Sequence, residues 1–414
     1  MGVVPTLGGR VAVSPEAALL AAGFVLGGIL LGLASGLVPG LHANNMALLL
    51  GAFAPAVPGP PRFVACAMLA AGVVHTFLDV VPTLALGVPD PAMAASALPG
   101  HELVLAGRGR EALRLSALGS GLAVVFAVPL AVPVTGLVTA VYPTLRANLA
   151  AVLAAVCVLL VTTERSYRAK VGAGLGVAAS GALGMATLDA NVTGLVDAGG
   201  VLAPLFAGLF GAPVLLEALQ GAGIPRQDDP ALALSRPAVG GLALLGTLSG
   251  AVVGFVPGVS SGVAGTGALL AVPYRYSARG YVVTTSGVNT ANTIFALFAL
   301  AVLGSPRTGV LVAVEEAGVP VAMPLLLASV ALAAAVGFVL VLVVGDRYLA
   351  LVGSVNNALL SLGVLVLLAG LSVLFAGLFG LGVFAVGGIV GLLPQRFGAR
   401  RVSLMGVLLV PLVL

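Results

Sequence analysis

The chain has 414 residues, of which 60% are apolar and 8% are charged, and its formal net charge is +4. Soluble domains carry roughly 25% charged residues, so this composition excludes a water-soluble globular protein and predicts an integral membrane protein. The 18 Lys and Arg residues are scattered through short loops and form no basic stripe, which argues against a nucleic-acid partner.

The first predicted element is a long apolar run that begins after Glu16. It has no clear small-residue cleavage site, so it is interpreted as a retained membrane span and not as a signal peptide. Pro39 and Gly40 interrupt the run, and His42, Asn44 and Asn45 follow the interruption. A broken helix within lipid is tolerated only where its freed backbone groups are buried in protein or line a cavity.

The next apolar run contains His75 and Asp79, which are four residues apart and therefore project from one face of a helix. Ionisable residues within a membrane span are candidates for function. Because histidine titrates near neutrality, the pair is predicted to couple transport to H+, with Na+ as the other candidate ion. The alternative is a structural hydrogen-bonded pair near the membrane surface.

A polar segment, residues 221–236, separates the first half of the chain, 1–220, from the second, 237–414. In the second half Pro257 and Gly258 interrupt another apolar run, and small polar residues follow the break and line the next run. These are Ser260, Ser261, Thr266, Asn289, Asn292 and Thr293.

The two halves share a frame, G-x-x-x-G-x-V-P-G, which ends at Gly40 in the first half and at Gly258 in the second. Two further echoes follow in the same order, which makes a chance repeat an unsatisfactory explanation. In the first echo, His75-Thr76 is followed by Gly87 and Pro89, and Asn292-Thr293 is followed at the same spacing by Gly304 and Pro306. In the second echo, the sequence FAGLFG occurs at 206–211 and again at 375–380.

If each Pro-Gly segment is a hairpin that returns to its own side, 14 of the basic residues fall on one face of the membrane, leaving Arg10, Arg62, Arg146 and Arg307 opposite. The positive-inside rule makes the first face cytoplasmic. Corresponding loops of the two halves then lie on opposite faces. The predicted fold is an all-α polytopic membrane protein with two inverted-topology repeats, each containing a Pro-Gly-broken re-entrant hairpin.

The start of a helix offers unpaired N-H groups and a positive dipole end, so two such starts facing each other would bind an anion from both sides. Asn, Ser and Thr add neutral donors. The alternative is that these residues only cap the half-helices. No nucleotide-binding or hydrolase motif is present in the sequence, and His42, His75 and His101 are too scattered to suggest a metal site. Neither a cofactor nor an enzymatic activity is predicted, although an intramembrane lipid-modifying enzyme using His75 and Asp79 is a further alternative.

Several short motifs together resemble the TctA permease family, in its shorter archaeal-type branch. They are the G-x-x-x-G-x-V-P-G-L frame, the P-G-H-E-L loop at 99–103, the end of the first half at 205–211, and the closing segments G-L-L-P at 391–394 and R-R-V-S-L-M-G-V-L at 400–408. The resemblance implies the large subunit of a tripartite tricarboxylate transporter of the cell membrane, which is a cation-coupled carboxylate importer. It also implies a small membrane subunit and an extracytoplasmic binding protein as partners.

The paired Pro-Gly hairpins are more distantly similar to the polyprenyl-phosphate translocases of the DUF368 family. This similarity leaves a lipid-linked phosphate open as the second candidate substrate. A soluble carboxylate would require a polar clamp in a closed aqueous cavity, whereas a lipid phosphate would require a cavity that opens sideways to the bilayer.

Overall fold

The computed structural model describes residues 2–6, 9–39, 41, 43–87, 97–195, 200–219, 223–229, 231–256, 259–316, 318 and 321–414. A short antiparallel hairpin, Gly2–Thr6 with Gly9–Val13, precedes the first helix. Every other regular element in these ranges is helical.

The α-helices, in chain order, are α1 Pro15–Gly36, α2 Ala43–Phe53, α3 Pro61–Leu78, α4 Val80–Leu86, α5 Ala97–Leu105, α6 Gly109–Ala147, α7 Leu149–Thr162, α8 Tyr167–Thr187, α9 Leu202–Phe206, α10 Ala212–Ala218, α11 Arg236–Phe255, α12 Ser261–Leu270, α13 Ser277–Leu303, α14 Gly309–Glu316, α15 Met323–Ser354, α16 Asn357–Gly391, α17 Leu393–Arg396 and α18 Gly406–Val413. Short 3-10 helices occupy Ala54–Ala56, Tyr274–Tyr276 and Arg401–Met405, and a π-helix occupies Ala207–Gly211.

Eight helical stretches in the described ranges are long and apolar enough to cross a membrane. A span needs about 20 apolar residues, and these stretches have between 20 and 40. The prediction of a helical, multi-pass membrane protein is therefore confirmed.

Helices α1 and α3 pack closely and run parallel, because successive glycines of α1 meet successive turns of α3. A Cβ atom on Gly28 would lie 2.0 Å from the backbone oxygen of Ala67, and one on Gly32 would lie 2.4 Å from that of Ala71. Such stripes of small residues allow membrane helices to approach backbone to backbone. The start of α3 therefore lies at the same end of the pair as the start of α1.

Helices α11 and α13 make the same parallel contact in the second half. A Cβ atom on Gly246 would lie 2.3 Å from the backbone oxygen of Thr284, and one on Gly250 would lie 2.8 Å from that of Val288. Gly246 and Gly250 precede Pro257 by the same numbers of residues, 11 and 7, by which Gly28 and Gly32 precede Pro39.

The halves meet along α3 and α13, which run antiparallel to each other. Thr76 contacts Thr290, whereas Asp79, further along α3, contacts the earlier residue Asn289. Helix α13 also packs on α5 and α6, and α3 packs on α14 and α15.

Both copies of FAGLFG lie at irregular points of a helix. The first copy contains the π-helix Ala207–Gly211. In the second copy the backbone of α16 is non-helical at Ala376 and Gly377, where Gly377 has φ +59°. The π-helix packs on α16 beyond this second irregular point, where Gly208 meets Phe384 and Gly387.

The segment before α11 is tied to the α5–α6 turn by hydrogen bonds. The side chain of Gln227 donates to the backbone oxygen of Val104 over 3.1 Å and accepts from the backbone N-H of Gly109 over 2.7 Å. Glu111, which is fully buried, accepts from Arg108, Arg279 and the backbone N-H of Ala233. This carboxylate therefore joins α6, α13 and the segment between the halves.

Candidate functional site

Polar side chains concentrate on α3, α4, α6 and α13 in an otherwise apolar interior, and Ser35 of α1 adjoins them through His75. Those below 9% exposure there are Ser35, His75, Thr76, Asp79, Thr83, Ser116, Ser120, Thr284, Thr285, Ser286, Asn289, Thr290 and Thr293. Burying so many polar groups is unfavourable unless they are hydrogen-bonded to one another or to a ligand.

Asp79 lies at the junction of α3 and α4 and is 5% exposed. Its backbone N-H donates to His75 and its backbone oxygen accepts from the hydroxyl of Thr83, so the helical path continues through it. Its side-chain Oδ2 accepts a hydrogen bond from Nδ2 of Asn289 over 2.7 Å. One ionisable group of the first half is therefore bonded directly to the second half.

His75 is fully buried one turn before Asp79. Its Nδ1 lies 2.9 Å from the hydroxyl of Ser35, which donates in turn to the backbone oxygen of Gly32 over 3.3 Å. The hydroxyl of Ser35 donates to Nδ1 of His75 or accepts from it, according to the tautomer of the ring. His75 is thus linked to the last turn of α1, directly before the first helix break.

The first break lies beside the middle of the neighbouring helices. A Cβ atom on Gly36 would lie 3.2 Å from the backbone oxygen of His75. His75 is about 21 Å along α3 and α4, which together measure about 39 Å at 1.5 Å per residue. Pro39, three residues beyond the end of α1, is buried.

The second break lies at the matching depth. Ser261, the first residue of α12, accepts a hydrogen bond from Nδ2 of Asn292 over 3.5 Å. Asn292 is about 22 Å from the start of α13, which is about 40 Å long. Ser260 caps α12, because its hydroxyl accepts from the backbone N-H of Val263 over 3.3 Å. Thr266 is buried and bonds the backbone of its own helix at Gly262.

The structure thus brings together His75, Asp79 and Asn289 in one cluster, with Thr293 buried on the same helix as Asn289. It brings Asn292 to the start of α12. Asn44 and Asn45 lie in the first turn of α2, where the structure describes the backbone. Gly40, His42, Pro257 and Gly258 lie outside the described residues.

Ser35 and Arg401 are polar residues that the sequence analysis missed. Ser35 lies between two packing glycines, where serine usually serves as a small residue. Arg401 follows another arginine close to the end of an apolar segment, a position typical of surface charge. Its burial could have been suspected only from the apolar residues that follow it.

Within the described residues no group of three or more His, Cys, Asp or Glu side chains could hold a metal ion.

Comparisons with known proteins give a consistent picture. The family model described as "Tripartite tricarboxylate transporter TctA family" matches residues 23–406. The uncharacterized protein MJ1079 of Methanocaldococcus jannaschii is 26% identical over 400 residues, which cover 94% of this chain and 98% of that protein. No solved structure matches the chain.

Proposed function

Since the chain belongs to the tripartite tricarboxylate transporter TctA family, we propose that it is an ion-coupled permease for an organic anion, most simply a carboxylate. Its anion site lies between the helix starts that follow Pro39-Gly40 and Pro257-Gly258. Membership in a transporter family also agrees with the expectation that the chain is not an enzyme. As in the family, the proposed partners are a small membrane subunit and an extracytoplasmic binding protein, and the proposed location is the cell membrane.

We propose two inverted repeats, because corresponding helices of the two halves pack in the same way. The parallel glycine contacts recur in α1–α3 and α11–α13 with the same spacing from the Pro-Gly pairs. The equivalent helices α3 and α13 run antiparallel, as inverted copies do. Each also packs on the long helix of the opposite half, α15 or α6.

Re-entrant hairpins are supported by the depth of the breaks. Helix α1 ends beside His75 and α12 begins beside Asn292, each near the middle of a neighbouring span. Helices α2 and α12 have 11 and 10 residues, which is too short to cross a bilayer. Discontinuous helices at the midplane are the usual binding elements of secondary transporters.

The observation that carries the coupling proposal is the buried hydrogen bond between Asp79 and Asn289. Binding of H+ or Na+ at Asp79 changes the charge at the contact between the halves. Alternating access requires the halves to move relative to each other, so a change at this contact links ion binding to transport.

A lipid-linked phosphate is the second candidate substrate, and one observation favours it. An apolar groove of about 810 Å³ lies between α1, α2 and α3, where it is lined by Leu19, Phe24, Leu31, Phe53 and Met68 among others. Its outer residues are exposed on the apolar surface of the protein. A polyprenyl chain could occupy it while its phosphate reached the start of α2.

The test is thermal stabilisation of the purified chain by di- and tricarboxylates and, separately, by short-chain polyprenyl phosphates. We expect stabilisation by carboxylates that is lost in Asn292→Ala and kept in Asn148→Ala, an exposed residue at the end of α6. Stabilisation by the lipid phosphate alone would mean that the substrate is a lipid-linked phosphate and not a carboxylate. Failure of both ligand classes to stabilise a folded protein would contradict the anion site.

A further inference from the structure

Arg401 is a buried cation whose hydrogen-bonding capacity is mostly unused. It is 5% exposed and begins the 3-10 helix Arg401–Met405. Its Nη2 donates to Oε2 of Glu217 over 3.0 Å. Its Nε and Nη1 are buried and have no acceptor within the part of the chain that the structure describes.

This arrangement points to a missing acceptor. Burial removes the water that would otherwise solvate a guanidinium, and buried charged donors are normally paired by protein, water or a ligand. The planar donors of arginine match the oxygens of carboxylates and phosphates, often two at a time. An oxyanion is therefore the chemical class that fits the unused donors.

The 3-10 helix connects Arg401 to the second helix break. At its far end, Sδ of Met405 accepts a hydrogen bond over 3.5 Å from Ser260, the cap of α12. At about 2.0 Å per residue, the Cα atoms of Arg401 and Met405 are roughly 8 Å apart. A molecule with two or three carboxylates can bridge that distance.

A second irregular element, a π-helix, lies next to this 3-10 helix. The 3-10 helix packs on the π-helix Ala207–Gly211 and on α12. The π-helix leads directly into α10, which carries Glu217. Single π-helical turns occur frequently at functional sites.

We propose that Arg401 binds an oxyanion of the transported substrate through Nε and Nη1, and that Glu217 is an internal carboxylate that competes for the same guanidinium. This inference rests on the proposed anion-transport function and adds a residue to its site. A substrate carboxylate at Nε and Nη1 repels the Glu217 carboxylate at Nη2, and this repulsion promotes release of the substrate.

The neighbouring Arg400 supplies a matched control. Its Nε donates to Glu164 over 2.9 Å and its Nη2 donates to the hydroxyl of Thr163 over 2.6 Å. Its side chain is 39% exposed, against 4% for that of Arg401. The two residues have the same chemistry, but Nε of Arg400 has an acceptor, whereas Nε and Nη1 of Arg401 have none in the described ranges.

The test is calorimetric titration of the purified full-length chain with citrate and, in a separate arm, with inorganic phosphate. For whichever probe binds, we expect Arg401→Lys to raise its Kd about tenfold or more. The lysine ammonium is a point charge and cannot replace the planar pair of donors of the guanidinium. Arg401→Gln should abolish measurable binding, Glu217→Gln should lower Kd several-fold, and Arg400→Gln should leave it within about twofold.

The outcomes separate this inference from the function on which it rests. If the wild type binds a probe and Arg401→Gln binds it equally well, Arg401 is structural and the anion-transport function stands. If the folded wild type binds neither probe, both proposals are overturned. If Arg401→Gln fails to fold, the double variant Arg401→Gln/Glu217→Gln is tested in its place, because it removes both charges of the pair. Binding by the double variant that equals wild-type binding overturns the inference.

Discussion

The carboxylate of Asp79 in the first half of the chain and the amide of Asn289 in the second are hydrogen-bonded over 2.7 Å in the protein interior. The bond lies where α3 and α13, which run antiparallel, meet at the contact between the halves. Because Asp79 is 5% exposed, a change in its charge cannot be compensated by bulk water.

Asp79→Asn should separate ion coupling from substrate exchange. The amide keeps a hydrogen-bonding side chain at this position but has no negative charge for H+ or Na+ to neutralise. We expect accumulation driven by an ion gradient to fall at least about tenfold in proteoliposomes, with counterflow exchange retained. Applying H+ and Na+ gradients separately identifies the coupling ion.

Asp189→Asn is the control for this variant, since Asp189 is exposed beyond the end of α8. If Asp79→Asn accumulates substrate as well as Asp189→Asn does, Asp79 is a structural partner of Asn289 and the coupling proposal fails. Loss of both accumulation and exchange would place Asp79 in substrate binding instead.

The close approach of α1 and α3 predicts opposite effects at two adjacent glycines. A Cβ atom on Gly28 would lie 2.0 Å from the backbone oxygen of Ala67, whereas one on Gly27 would meet nothing within 4 Å. Gly28→Ala should destabilise the protein by about 1–3 kcal/mol or more, because backbone must move. Gly27→Ala should be neutral or stabilising by up to about 1 kcal/mol, because alanine favours the helix.

Thermal unfolding of the two variants in detergent measures the difference. Equal melting temperatures would mean that the backbones of α1 and α3 are too far apart at Gly28 for a Cβ atom to collide with Ala67. That result would also remove one support for the repeat, because the equivalent contact at Gly246 rests on the same geometry.

The stability of the protein should fall in mild acid because of His101, which lies in α5, outside the membrane-spanning helices. Burial lowers the pKa of His101 below its usual 6.5, although its Nδ1 is bonded to the backbone oxygen of Leu84 over 2.7 Å. The unfolded chain therefore takes up a proton at a higher pH than the folded chain does. The stabilisation is complete above pH 6.5 and is lost as the pH falls from there towards the folded pKa.

Comparison of melting temperatures at pH 7.5 and pH 5.5 tests this contribution. The loss on acidification should be smaller in His101→Gln than in the wild type, since glutamine does not titrate. An identical loss in both proteins would assign the acid sensitivity to groups other than His101.

Much of this architecture follows from the sequence because membrane helices depend on simple local signals. The apolar runs predict the spans, and the Pro-Gly pairs coincide with the ends of α1 and α11. The i, i+4 spacing predicts that His75 and Asp79 project from one face of a helix, and both side chains are buried.

Side-chain partners could not be predicted in the same way, because they depend on tertiary contacts. Nothing local to Asp79 indicates that Asn289 is its partner, since the contact depends on how α3 and α13 cross. The burial of Arg401 depends similarly on the packing of its 3-10 helix against α8 and α12. Ser35 is the partner of His75 because α1 and α3 run parallel, and no local signal in the sequence indicates that packing.

Glu111 should contribute far more to stability than a surface acid with a similar partner. It is fully buried and accepts from Arg108 over 2.6 Å, from Arg279 over 2.8 Å and from the backbone N-H of Ala233 over 2.9 Å. Glu111→Gln leaves two guanidinium groups without their anion, and breaking a buried ion pair typically costs about 3–5 kcal/mol. We expect a melting temperature well below that of the wild type.

Asp346→Asn is the matched comparison, because Asp346 also pairs with an arginine of α6, Arg110, over 2.5 Å. Both side chains of that pair are about 40% exposed, and exposed pairs contribute about 0–1 kcal/mol. A small drop in melting temperature for Asp346→Asn and a large drop for Glu111→Gln would show that the buried carboxylate joins α6 to α13 and to the segment before α11. Equal shifts would show that the halves are held by their apolar contacts alone, and Glu111 would then have no special part in joining them.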